Sequence, residues 1–282
     1  MPQKTIFMAK PNSYTAFYPE YKSWHENAYA IIEPHARIAS LDLPDIWVRD
    51  FLPVQNTKTG ELFLFNYDPL FENEKEKTHY KKCRIASERE FKNAKKLDIW
   101  MDGGNLICSG KYGFALETNG TDISAKRKEL EHSLGIDIII LPYRLKVPDE
   151  DPCGHIDGVM QILGENTLMI SAPLNESEER EQADWIKSIK DKTGNAFEIA
   201  YLPNGCVKSG LRTKIDARGL YANFLETDNA VFAPQYNLPE DAAAIDAIQK
   251  HTSKPVIPID CDEISKHGGS LHCLTNEYLI QY

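Results

Sequence analysis

Apolar residues along this chain fall into short runs, and many successive runs are separated by a polar turn and a stretch whose apolar positions recur at helical spacing. Such runs predict buried strands, and the intervening stretches predict amphipathic helices. The clearest copy reads "NTLMISAP", then "NESEEREQADWIKSIKDKTG", then "AFEIAYLP". Its helix is expected from Glu178 to Lys192, with Ala183, Ile186 and Ile189 on one face behind a Ser/Glu-rich start. A second copy is "NAVFAPQY", "NLPEDAAAIDAIQKHTS" and "KPVIPID", and a third is "YGFALET", "NGTDISAKRKELEHSLG" and "IDIIILPY".

Two weaker copies fill the N-terminal half. One is "KTIFMAKP", "PEYKSWHENAYAIIEPH" and "RIASLDL"; the other is "ELFLFNYD", "SEREFKNAKK" and "LDIWM". Five strand-helix-strand units of about 56 residues each would account for the 282 residues. An unrepeated doubly wound sheet is the alternative, but its nucleotide-binding form wants GxGxxG after the first strand, and "DGGN" is a poor substitute.

Composition narrows the partners. A formal net charge of -10 with no long basic run argues against nucleic acid. No stretch approaches the roughly 20 apolar residues of a membrane helix, and "MPQKTIFMAKP" is too short and polar for a signal peptide, so the expected compartment is the cytoplasm with no membrane partner. Cysteines 83, 108, 153, 206, 261 and 273 include no CxxC pair and are expected to be reduced thiols. The sequons at Asn119 and Asn175 are read as chance matches.

The segments joining successive units carry the unusual chemistry: "WVRD" (Trp47 to Asp50), "DGGN" (Asp102 to Asn105), "GHID" (Gly154 to Asp157), "YANF" (Tyr221 to Phe224) and "GGSLHC" (Gly268 to Cys273). Units closing around an axis would bring these segments together into a pocket holding a thiol, an imidazole and three carboxylates. Each residue also has a plainer reading. A cysteine is usually a small buried hydrophobe, although the glycines before Cys273 permit close backbone approach. His155 and Asp157 form an HxD pair that, on a strand, would face one way. Asp50 beside Arg49 could be a surface or structural ion pair, Asp102 could be turn chemistry, Asn223 could cap a turn, and Trp47 could be core. His155, Asp157 and Cys273 could ligate zinc, but they lack the short ligand spacings of zinc sites, so no metal is expected.

In the same order along the chain, "WVRDFLP", "DGGN", "GHID" and "GGSLHC" resemble the signatures W-x-R-D-x-G-P, E/D-G-G, G-H-x-D and G-G-G-x-H-C. These belong to the agmatine deiminase and bacterial peptidylarginine deiminase family, within the guanidine-modifying enzymes of pentein fold. The resemblance runs from Trp47 to the C-terminus and departs from the pattern at Leu52 and Ser270, where the family favours glycine. It implies an α/β fold, a five-bladed α/β propeller of pseudo-fivefold ββαβ repeats, as one catalytic domain over residues 1–282.

It also implies roles. Cys273 would be the nucleophile, His155 the general acid and base, Asp50 and Asp157 the carboxylates gripping a guanidinium, and Asp102 the partner that orients His155. Trp47 would pack along the aliphatic stem of the substrate, Asn223 would line the pocket, and Gly269 would let the backbone close on it. The expected activity is hydrolytic deimination of a small cationic guanidino substrate, foremost agmatine, with no cofactor. Arginine in a peptide is the alternative substrate, with Arg212 and Arg218 as candidates for holding the carboxylate of a C-terminal or free arginine. A non-catalytic pentein-like binding protein is a further reading, and a homo-oligomer is compatible with all of them.

Overall fold

The computed structural model describes residues 3–12, 17–67, 74–117, 123–141, 155–173, 175–205 and 216–280. Within them lie five three-stranded sheets of one design. The strands are β1 (Gln3–Ala9), β2 (Arg37–Leu41), β3 (Val54–Gln55), β4 (Leu62–Asn66), β5 (Lys95–Trp100), β6 (Leu106–Cys108), β7 (Tyr112–Leu116), β8 (Asp137–Leu141), β9 (Met160–Leu163), β10 (Thr167–Ser171), β11 (Glu198–Leu202), β12 (Leu225–Glu226), β13 (Val231–Gln235), β14 (Val256–Asp260) and β15 (Asn276–Ile280).

In every sheet the middle strand pairs antiparallel with a partner on one side and parallel with the strand that follows a helical crossover. The middle strands are the long apolar runs of the sequence. Each is covered on both faces: "TLMIS" of β10 is buried throughout, and β7 and β13 are buried at four of five positions. The parallel outer strands alternate instead, as in β5 and β11, because one face meets solvent.

The repeat is therefore ββαβ, with one strand more than the strand-helix-strand period expected. That extra strand lies across the connecting segment, and for the first sheet it comes from the far end of the chain: β15 pairs with β1, Gln3 opposite Ile280.

The helix expected at 178–192 is Glu176–Ser188, started by Asn175, whose side chain accepts a hydrogen bond from the Ser177 amide at 3.0 Å. It ends early because Asp191 takes the Thr193 and Asn195 amides at 2.9 and 2.8 Å and turns the chain. Trp185 is buried and Ala183 and Ile186 partly so, while Ile189, just past its end, is buried. The sequon residue Asn175 thus has a structural use, and Asn119 lies outside the described residues.

One expectation is corrected. The stretch "SEREFKNAKK" holds only the last turn of the crossover helix of the second unit, Ser87 to Glu90; the helix is Glu74–Glu90, and Lys95–Trp100 is already strand. Its sequence is so charged that few of its residues reach the core, Cys83 and Ala86 buried and Tyr80 partly so against Tyr67, which leaves little periodic signal.

Candidate active site

Each connecting segment adopts a tight turn. Asp50 sits on the helical turn Val48–Phe51, Asp102 precedes the 3-10 turn Gly103–Asn105, and His155 precedes the 3-10 turn Ile156–Gly158, which contains Asp157. The first turn packs on the second and the second on the third. The expectation of an HxD strand fails, because the chain from 156 to 158 is a turn; residues two apart there need not face one way. Asp102 makes no side-chain cap to its own turn, so turn chemistry does not account for it.

Two linked groups result. In the first, His155 Nε2 lies 3.0 Å from Asp102 Oδ2, while Nδ1 is turned toward Asp50 Oδ1 at 3.7 Å. Asp50 Oδ1 accepts a hydrogen bond from the Gly104 amide at 3.2 Å. A Cβ on Gly104 would stand 2.7 Å from both Asp50 Oδ1 and His155 Nδ1, so the second glycine of "DGGN" is what lets these side chains meet.

In the second group, Cys273 Sγ lies 3.6 Å from Asp157 Oδ2 and receives a hydrogen bond from Asn223 Nδ2 at 3.2 Å. The Asn223 carbonyl accepts from the His272 and Cys273 amides at 2.9 and 3.3 Å, and its amide nitrogen also donates to the Asp157 backbone carbonyl at 3.1 Å. Both ends of the Asn223 side chain therefore engage the protein, tying the "YANF" turn to the cysteine turn and to Asp157.

Electrostatics separate the two aspartates. Burial pushes the Asp50 carboxyl up; His155 opposes this and Asp102 adds to it, leaving Asp50 at about 7. Burial also works against ionised Asp157. There, however, the 2.7 Å hydrogen bond with His272 Nδ1 and the charges of His155 and Arg49 prevail and hold Asp157 below the ordinary carboxylate range. Cys273 is held well above the usual thiol value by burial and then by the Asp157 and Asp50 charges.

Trp47 is half-buried and donates its indole N–H to the Tyr18 hydroxyl at 3.1 Å. Its ring lies on Gly269, where a Cβ would come within 2.4 Å of Cζ3. Gly269→Ala is expected to lower stability by about 1–3 kcal/mol through displacement of the indole, read by denaturant unfolding. An alanine variant as stable as the parent would mean that Trp47 shifts at no cost. Ser270, in place of a family glycine, accepts a hydrogen bond from the Tyr236 hydroxyl at 2.9 Å, and Leu52 is buried.

Two residues escaped the sequence reading. His272 is buried and holds Asp157 from behind. Arg49 pairs with Glu277 rather than with its neighbour Asp50, and donates to Asn276 at 3.2 Å and to the His272 carbonyl at 3.4 Å. Glu277, which burial alone would push up, is brought by Arg49 to about 2. Arg49 therefore locks the cysteine turn to β15; the usable signal was that an arginine inside an apolar motif requires a carboxylate partner.

Arg218 is held by Asp216 at 2.6 Å and Asp262 at 3.3 Å, so the expectation that it binds a substrate carboxylate gives way to a structural ion pair; Arg212, Gly154, Cys153 and Cys206 lie outside the described residues. The four cysteines among the described residues are free. No helix among the described residues is long and apolar enough to cross a membrane.

Comparison with known proteins places the chain in a family. Residues 8–278 match the family model of the Porphyromonas-type peptidyl-arginine deiminases. The agmatine deiminase of Pseudomonas fluorescens is 23% identical over 90% of this chain and 80% of its own length. Among solved structures, the agmatine deiminase of Enterococcus faecalis superposes with a TM-score of 0.78 at 16% identity, covering 99% of this chain and 93% of that one. The dimethylarginine dimethylaminohydrolase (DDAH) of Pseudomonas aeruginosa, complexed with citrulline, superposes with a TM-score of 0.65 at 14% identity over 99% of this chain and all of that one. With the match to the family model spanning nearly the whole chain, this protein belongs to the Porphyromonas-type peptidyl-arginine deiminase family, whose members hydrolyse a C–N bond of a guanidinium group.

Proposed function

We propose that this protein is a cysteine-dependent hydrolytic deiminase that converts agmatine to N-carbamoylputrescine and ammonia. One observation carries the reading: a buried thiol stands 3.6 Å from an ionised, almost fully buried aspartate, close to an Asp50–His155–Asp102 relay. A guanidinium ion is planar and cationic, and two carboxylates can grip it through charge-assisted hydrogen bonds. Asp157 and Asp50 are the carboxylates, and the five ββαβ sheets are read as blades of one pentein propeller over residues 1–282, with the pocket at its axis.

When substrate binds, the Cys273 thiol passes its proton to the His155 imidazole, and Sγ attacks the guanidinium carbon to give a tetrahedral adduct. His155, oriented by Asp102, donates a proton to the departing nitrogen, and ammonia leaves a covalent thiouronium. The same imidazole then takes a proton from water, whose oxygen attacks that carbon; collapse restores the thiol and releases the ureido product. A thiol held up by two carboxylates becomes nucleophilic once the cationic substrate neutralises them, so thiolate formation is assisted by the substrate.

Agmatine is favoured over arginine by a row of aromatic groups leaving Trp47. Tyr18 packs edge-on to Trp47 at 5.8 Å, His267 on Tyr18 at 5.3 Å, and Glu20 bonds His267 at 3.1 Å. A carboxylate at the end of that row suits a distal ammonium, and the relatives named as agmatine deiminases point the same way. Peptidylarginine is the second reading, on the strength of the family model. Agmatine, free arginine and a peptide with internal arginine, each assayed for ammonia and ureido product, test the choice. Turnover of the peptide alone would replace agmatine, and silence with all three would favour a binding role.

The raised Asp50 gives a pH prediction. A carboxyl at about 7 stays protonated in acid and gains charge as pH rises through that value. Protonated Asp50 favours the folded state below the unfolded carboxyl value of about 3.9, and that advantage is lost as pH rises through about 7. A guanidinium ligand needing the charged form therefore binds about tenfold more tightly at about pH 8 than at about pH 6. Calorimetric titration should show this trend, with Asp50→Asn binding weakly and without the slope; equal affinity at both pH values in the parent would contradict it.

A further inference from the structure

Away from the thiol, imidazole and carboxylates of the pocket stands a second mixed set of donors. Asp45 lies in the loop just before Trp47, and His79 and Cys83 lie one turn apart on the helix Glu74–Glu90. His79 Nε2 is 2.5 Å from Asp45 Oδ2 and 3.8 Å from Cys83 Sγ. Among the described residues, these three contribute a carboxylate oxygen, an imidazole nitrogen and a sulfur that all lie within 4.8 Å of one another. Cys83 is fully buried, Asp45 nearly so, and the His79 side chain is one-third exposed.

An ion pair between Asp45 and His79 would need no cysteine. The thiol nevertheless meets the same ring nitrogen that the carboxylate reaches, and one nitrogen cannot direct a single in-line hydrogen bond at both. A metal ion can satisfy all three donors. Tetrahedral zinc, with bonds of about 2.0–2.1 Å to nitrogen and oxygen and 2.3 Å to sulfur, sets nitrogen and sulfur about 3.6 Å apart. That is close to the separation here, and the Asp45–His79 contact would lengthen by under about 1 Å. His-x3-Cys on a helix presents both donors on one face, as in helical zinc ligand pairs. The other Asp45 oxygen accepts the Ile46 amide at 2.6 Å, which orients the carboxylate in the manner of a supported metal ligand.

We propose that Asp45, His79 and Cys83 form a zinc site, with solvent as fourth ligand on the exposed edge of His79, that clamps the helix Glu74–Glu90 to the loop carrying Trp47 and Asp50. The mixed N, S and O set selects a borderline-soft cation over magnesium or calcium. Binding displaces the thiol proton and leaves a thiolate, a carboxylate and a neutral imidazole around Zn²⁺, so the site is charge-balanced and its affinity falls in acid. The site is structural and stands independently of the deiminase reading.

The test uses the full chain carrying Cys273→Ala, so that the pocket thiol does not compete for metal. After chelator dialysis, the protein is titrated with Zn²⁺ and separately with Co²⁺. One equivalent of zinc should bind, and cobalt should give a thiolate-to-metal charge-transfer band. Adding Cys83→Ser should remove the band, and Cys83→Ser and His79→Asn should each weaken zinc binding by at least about tenfold, with circular dichroism verifying the fold. His79 is partly exposed, so its variant remains informative if the buried serine perturbs folding. Absence of stoichiometric uptake by the parent, or undiminished zinc affinity in His79→Asn or in folded Cys83→Ser, overturns the proposal.

Discussion

Cys273→Ala should lower turnover by at least about 10⁴-fold while leaving the protein folded. In the proposed mechanism the sulfur is the atom on which the covalent step depends, and the Asp157 and Asn223 side chains around it cannot replace a soft nucleophile. Folding should survive, because Asn223 Nδ2 keeps the Asp157 carbonyl as acceptor and Arg49 keeps its hold on the turn through the His272 carbonyl and Glu277. Substrate binding should persist for the same reason: both carboxylates remain. The measurement is ureido product at saturating agmatine, with binding followed by calorimetry. A second observable comes from the thiol itself. Because burial and two carboxylates hold Cys273 up, alkylation of the free enzyme should be slow at neutral pH and accelerate continuously through about pH 9. Appreciable turnover by the alanine variant would sink the mechanism.

His155→Gln is the second large effect, with a loss of about 10²–10⁴ in kcat. Glutamine retains a hydrogen-bonding end but cannot exchange a proton, so both departure of ammonia and attack by water slow. Asp102→Asn should cost less, since the imidazole would remain while losing its 3.0 Å carboxylate partner on Nε2. The discriminating readout is the split between steps: ligand affinity, measured in a Cys273→Ala background, should stay within about tenfold for His155→Gln while kcat collapses. A variant whose kcat stays within tenfold of the parent would remove His155 from the chemistry.

Legibility in the sequence followed the range of the forces involved. The middle strands were plain because each is buried on both faces and so is apolar along its centre, as at Leu168, Met169 and Ile170 of β10. The helix Glu74–Glu90 was hidden because few of its residues meet the core, Cys83 and Ala86 buried and Tyr80 partly so, and so sparse an apolar face inside a charged sequence has weak periodicity. Arg218 shows the opposite failure: a positive charge near a candidate pocket suggested carboxylate recognition, yet Asp216 and Asp262 already hold it. The HxD pair of His155 and Asp157 was assigned to the wrong backbone, a turn rather than a strand, and its two members enter different hydrogen-bonded groups.

By itself the sequence determined the repeated alternation of strand and helix, the order of the motif segments, and the residue types from which a guanidinium chemistry follows. All of these are local: a strand shows its burial within a few residues, and a turn motif carries its own glycines. Tertiary structure alone decided that β15 completes the first sheet beside β1, that Asn223 fastens the cysteine turn to Asp157, that His272 stands behind that aspartate, and that Arg49 reaches Glu277 across 228 positions of chain. Those pairings depend on how separate sheets pack, and each buried charge or amide takes the partner that packing brings within reach, a choice that no periodicity along one segment records.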